Sequence, residues 1–300
     1  MVPPGFDPPI GHSFEEPWRA ARIAELLAAR RVHTAAGQEA ILADTLSPAA
    51  LDLLPLLLTL KAETSEQADM LDLLRDWNGR MDAALQQPII FDWWLMELHR
   101  VLIADELGDL YRPELDARLV GHLLRERPRW CDDRTTPGVE DCQSALRTAL
   151  ERTRTALAER QGPHAYHWRW GREHVAELGH PLLARVPVLS WWFSDPMVTD
   201  GGHYTVNRAG GSGRGGDRPF AHVHGAVLRA VYAAVRDRSF VALPIGILGG
   251  VTMAPRRPVR FDVFDLLSGE LVDARELAAG EMFELSGAEA LLIRGEFLDG

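Results

Sequence analysis

The stretch that most limits what this chain can fold into is 222–246, reading HVHGAVLRAVYAAVRDRSFVALPIG. Val223, Val227, Val231, Phe240, Val241 and Leu243 supply its apolar content between Gly, Pro and Asp punctuation. That pattern predicts two strands, 222–234 and 239–246, joined by a short polar link. Val241–Gly246 has too few polar positions for a strand with one wet face, so it belongs inside a covered sheet.

The first 160 residues read as a helical layer. After a Pro/Gly-rich opening over 1–16, a helix is predicted from Glu16 or Pro17, with Pro early, where its missing N–H costs nothing. Trp18, Ile23, Leu26 and Leu27 fall near helical spacing on one side of it. Ser47-Pro48 opens another helix in the cap-then-proline arrangement. A third lies over Asp69–Asp76 and is ended by Asn78-Gly79. Pro88–Leu107 carries Phe91, Trp94, Leu95, Leu98, Leu102 and Ile103 and reads as a core helix. A further helix is expected from Val139 to about Glu159. Helices followed by strands make an α+β chain.

Charge and hydropathy narrow the classes of function. A net charge of −11 argues against nucleic acid or an anionic membrane as partner. The longest apolar candidate, Leu51–Leu60, is interrupted by Asp52 and Pro55 and falls short of the ~20 residues of a membrane span. The opening MVPPGFDPPIGH has proline where a leader would be basic, so no signal peptide is expected.

Four blocks then stand in order: HWRWGREH from 167, GGHYTVNRAG from 201, AHVHGAVLRAVY from 221 and DRSFVALPIG from 237. They resemble the WxWGxxH segment, the TVN turn, the HGAxxRxVxD strand and the VLPxGxSG strand of the penicillin acylase family of N-terminal-nucleophile amide hydrolases. LSPAALDLLPLLL, LLRDWNGRMDA and FDWWLMELHRVLIADELG are similar to the helical insert of that family's large subunit. VPPGF followed by PWRAARIAELL resembles the segment just after its Asn-Asn motif. The resemblance covers about 2–246 and implies part of a four-layer αββα core. It divides the chain into a helical part over 1–160, a strand-rich part over 161–250 and a β-rich tail over 251–300 that departs from the family.

The resemblance also implies the chemistry. Family members use a Ser, Cys or Thr at a free N-terminus, whose own α-amino group is the base. A backbone N–H and a side chain of the Asn-Asn motif hold the oxyanion. Here Met1 corresponds to an internal family position, no nucleophile is found in the chain, and no Asn-Asn pair occurs. The expectation is a fragment of a linear-amide hydrolase, inactive alone, whose parent cleaves a β-lactam side chain, an acyl-homoserine lactone or a lipopeptide. The alternative is a non-catalytic scaffold or binding module built on the same fold. The expected partners are the missing upstream segments, or self-association through exposed strands. Many family members are periplasmic or secreted.

One supporting residue is carried over. Arg22 aligns with a family arginine near the active-site asparagine, where a guanidinium holds that side chain and stabilises negative charge. Read from the residues alone, it is a solvated helix arginine. The family calcium site draws an Asp from the segment where Ser13 stands here, so no metal is expected, and no cofactor. His222 and His224 make a pair without a third ligand. Gly210–Gly216 lacks the Lys-Ser/Thr ending of a phosphate loop. Trp191-Trp192-Phe193 reads as core or interface. Cys131 and Cys142 have the wrong spacing for zinc or a redox pair, and a loop-closing disulfide between them fits an exported family member. After Gly246 the residues predict a small antiparallel meander.

Overall fold

The computed structural model describes residues 15–179, 194–213, 217–225, 229–232, 238–242 and 283–286. The helices begin with α1 (Trp18–Ala28), α2 (Ala35–Leu42), α3 (Pro48–Leu57) and α4 (Ser65–Arg75). They continue with α5 (Gln87–Leu107), α6 (Ala117–Glu126), α7 (Cys142–Gln161) and the single turn α8 (Trp170–Glu173).

Their starts follow from the sequence. Thr34, Ser47, Thr64, Asp116 and Asp141 each accept a hydrogen bond from an N–H in the first turn they precede, satisfying a donor the helix cannot use. Pro48 sits in the first turn of α3, where a missing N–H is harmless. Asn78-Gly79 follows α4, and Gly79 takes a positive φ of 81° that favours glycine.

α5 organises the helical layer. It is 21 residues long and buries side chains on every side, including Ile89, Ile90, Phe91, Trp93, Trp94, Leu95, Leu98 and Leu102. A helix buried on every side must be surrounded by other elements. α7 packs along it, and Trp94 Nε1 donates to Leu146 O at 3.0 Å, so the largest buried ring also satisfies its one polar atom. α3, α4 and α6 complete the core with Leu53, Leu57, Met70, Leu71, Leu74 and Val120. α1 behaves differently from its sequence pattern. It buries no residue, and Ile23 and Leu27 are 37% and 39% exposed. Only Trp18 leans on the core, edge-on to Tyr204 with ring centres 5.3 Å apart.

The strands follow. β1 (Val175–Gly179) pairs antiparallel with β2 (Ser194–Val198), Val175 opposite Val198. β3 (Ala209–Gly210) pairs with β4 (His224–Gly225). β5 (Arg229–Tyr232), β6 (Arg238–Ala242) and β7 (Phe283–Ser286) form a three-stranded antiparallel sheet with β6 in the middle. The expected strand over 222–234 is thus shared between two sheets. β6 is bonded on both edges, Arg229 facing Ala242 on one side and Arg238 facing Ser286 on the other. β7 is the described part of the expected tail, and it pairs with β6.

Candidate functional site

Arg22 projects from α1 onto Asp44, in the loop between α2 and α3. Its Nε donates to Asp44 Oδ2 at 2.8 Å and its Nη2 to Oδ1 at 3.3 Å, a two-point grip that fixes the plane of the guanidinium. Nη1 donates to Glu25 Oε1 at 2.8 Å. The two carboxylates are unequal. The Asp44 side chain is 7% exposed and that of Glu25 68%, so water screens the second far more than the first. Hydrogen bonding to Asp44 holds the Arg22 pKa above its ordinary value, outweighing the opposing effect of burial. Arg80 Nη1 approaches Asp44 Oδ1 from another side at 3.8 Å.

Three remote segments build the loop that presents Asp44. Asn207 N–H donates to Asp44 O at 2.9 Å, and Met81 N–H to Thr45 O at 2.9 Å. Thr45 Oγ1 donates to Asp82 Oδ1 at 2.6 Å. Asp200 Oδ1 accepts from Ala83 N–H at 2.6 Å, and Gly201 N–H donates to Met81 O at 2.7 Å. Gly201 has φ 91°, and a Cβ there would sit 2.2 Å from Asn207 O, so this turn needs glycine. Buried Thr205 closes the turn, its hydroxyl donating to Asn207 O at 2.6 Å. The TVN block and the arginine of the WRAARI helix therefore meet on one carboxylate-bearing loop.

The WGREH block lies against the same region. Gly171 N–H donates to Ala83 O at 2.8 Å, and a Cβ on Gly171 would meet Val198 Cγ1 at 2.6 Å. Trp170 Nε1 donates to Gly201 O at 3.0 Å. His174 is stacked between Trp170, at 4.3 Å, and His222, at 5.5 Å. Its Nδ1 lies 2.8 Å from Phe220 O and must carry the proton, since a carbonyl only accepts. Desolvation lowers the His174 pKa to about 3, with a smaller opposing contribution from Phe220 O. His222 Nδ1 lies 3.0 Å from Thr199 Oγ1, while His224 is exposed. The two histidines of 222–224 thus have different surroundings. Among the described residues no three His, Cys, Asp or Glu side chains are grouped to hold a metal ion.

Cys131 and Cys142 are joined by a disulfide, Cα atoms 4.9 Å apart, linking the turn Pro128–Cys131 to the start of α7. It braces the helical layer and contributes nothing to the Arg22 group. Ser13, the loop residues 214–216 and Trp191-Trp192-Phe193 lie outside the described residues. Sequence reasoning picked out Arg22 but not its partner. The available signal was Asp44 itself, a carboxylate in ILADTLSP just ahead of a helix cap.

The helical layer thus leads into turns and strands in which the TVN block bonds the Asp44 loop and the WGREH block bonds Ala83 and Gly201. The penicillin amidase family matches residues 1–254, and the chain belongs to it. Two curated relatives carry the name acyl-homoserine lactone acylase QuiP. The chain is 27% identical to the one from Pseudomonas aeruginosa over 207 residues, 59% of this chain and 24% of that protein. It is 24% identical to the one from Pseudomonas fluorescens (strain Pf0-1) over 239 residues, 70% of this chain and 28% of that protein. The chain spans about a quarter of the length of these relatives. Among the described residues no helix is long and apolar enough to cross a membrane.

Proposed function

We propose that this chain carries the helical layer and some of the strands of an acyl-amide hydrolase with a four-layer αββα core. In this reading the N-terminal nucleophile and the asparagine donor come from polypeptide outside these 300 residues. The substrate class is a linear acyl amide, of which N-acyl-homoserine lactone is favoured by the names of the two relatives. The observation that carries the reading is the convergence of Arg22 and the TVN block on Asp44.

Acyl transfer needs a nucleophile, a base and donors aimed at the developing oxyanion. Arg22 is neither nucleophile nor base near neutral pH, so its part is to hold the asparagine amide. Asn78 and Asn207 are the only asparagines of the chain, and the Asn207 main chain is committed to the Asp44 loop.

The test is release of free homoserine lactone from its N-acyl form, followed by chromatography. The 300-residue polypeptide alone should give none. Adding upstream polypeptide that begins with a free serine should give turnover, which Arg22→Ala lowers without altering the fold. Turnover by the purified chain alone would overturn the placement of the nucleophile, and an unaffected Arg22→Ala would overturn the role of Arg22.

A further inference from the structure

Building on the reading of Arg22 as a supporting group, we propose that Asp44 is the positioning residue of the site. It locks the guanidinium in one orientation and offsets its charge, so that the remaining N–H groups serve a neutral amide carbonyl rather than an anion.

The donor inventory comes first. A guanidinium has five N–H groups. Asp44 takes one on Nε and one on Nη2, and Glu25 takes one on Nη1. Among the described residues, one N–H on each terminal nitrogen remains, two donors whose direction is fixed once the Asp44 grip is made. An arginine without a buried carboxylate turns about its flexible stem and attracts carboxylates and phosphates. With the Asp44 carboxylate against it at 7% exposure, the pair is close to neutral, and its two remaining donors suit the oxygen of a carboxamide.

Asp44 is itself held on both sides. Its N–H donates to Ile41 O at 3.2 Å and its carbonyl accepts from Asn207 at 2.9 Å. Thr45, next along the chain, is tied to Asp82. Arg80 Nη1 stands 3.8 Å from its Oδ1. The loop is therefore a rigid mount, and the arginine is the part that gets aimed.

The experiment uses the full chain labelled with ¹⁵N-arginine, with Arg22→Lys to identify the Arg22 Nε–Hε resonance. The wild type should show that resonance protected from exchange. Asp44→Ala should lose the protection, and added sodium formate, filling the vacated carboxylate position, should restore it where equal sodium chloride does not. Should the alanine variant fail to fold, Asp44→Asn replaces it and the loss of protection is read there. Protection that survives either variant overturns the proposal, as does formate binding the wild type as tightly as the alanine variant.

A second arm uses the reconstituted enzyme. Asp44→Asn should lower kcat by about 10²-fold with KM little changed, the scale of a group misplaced by ~1 Å, and Asp44→Glu should recover part of it. If Arg22→Ala is silent, the reading of the site fails. If Arg22→Ala is damaging and Asp44→Asn is silent, the positioning role alone is overturned.

Discussion

Replacing Asp92 by asparagine should remove a loss of stability that accumulates between about pH 4 and about 8. Asp92 lies on α5 between Phe91 and Trp93 and is 3% exposed. Burial alone raises its pKa from 3.8 to about 8. The folded carboxyl therefore keeps its proton over a range where the unfolded one has lost it. The stability it contributes is fully present below 3.8 and is lost as pH rises toward about 8. The slope is about 1.4 kcal/mol per pH unit, so near pH 7 the accumulated loss is about 4 kcal/mol. Asparagine has no such dependence. It carries instead a pH-independent cost of about 1–3 kcal/mol for burying a polar amide in the core. Urea unfolding of both proteins at several pH values between about 5 and 7.5 gives the comparison. The stability of Asp92→Asn relative to wild type should climb steadily with pH. Titrations of His174 and His203, both pushed down by burial, are common to the two proteins and cancel. A difference that stays constant across the range would refute the reasoning.

Gly171→Ala should destabilise by about 1–3 kcal/mol in the same assay, because the new methyl overpacks Val198 and Ala83. The double replacement of Cys131 and Cys142 by serine should cost about 2–3 kcal/mol through the freed loop. His174 has its folded pKa lowered to about 3 from 6.5, so its contribution is complete above 6.5 and lost as pH falls through the acid range. Unfolding of His174→Phe followed from neutral pH downward should show a shallower acid decline than wild type.

How much of this was legible in the sequence depended on whether the signal was local. The cap at Ser47-Pro48 marks the start of α3, and the core helix predicted at Pro88–Leu107 matches α5 almost residue for residue, because caps and periodicity act within a few residues. The predicted helices at Asp69–Asp76 and Val139–Glu159 are found as Ser65–Arg75 and Cys142–Gln161, their true starts set by Thr64 and Asp141. α2 was missed, a short helix whose composition gives little periodicity, and so was α6, although its apolar and polar faces are well separated. The apolar spacing on α1 suggested a packed face, yet Ile23 and Leu27 stay partly in water. Periodicity says which residues share a side, not whether another element covers it. The site divides the same way. Arg22 was reached through a resemblance carried by neighbouring residues. Asp44 and Asp92 were not reached, since a partner twenty-two residues away and a carboxyl closed in by the core are products of tertiary packing.

The thin attachment of α1 has a consequence for hydrogen exchange. With no buried residue and no side-chain cap at its start, this helix is fastened by Trp18 against Tyr204 and by the Arg22 pair. Its amides should open at a small fraction of the free energy needed to expose those of α5. The residue that is aimed most firmly at its tip thus rides on the helix that detaches most readily at its base.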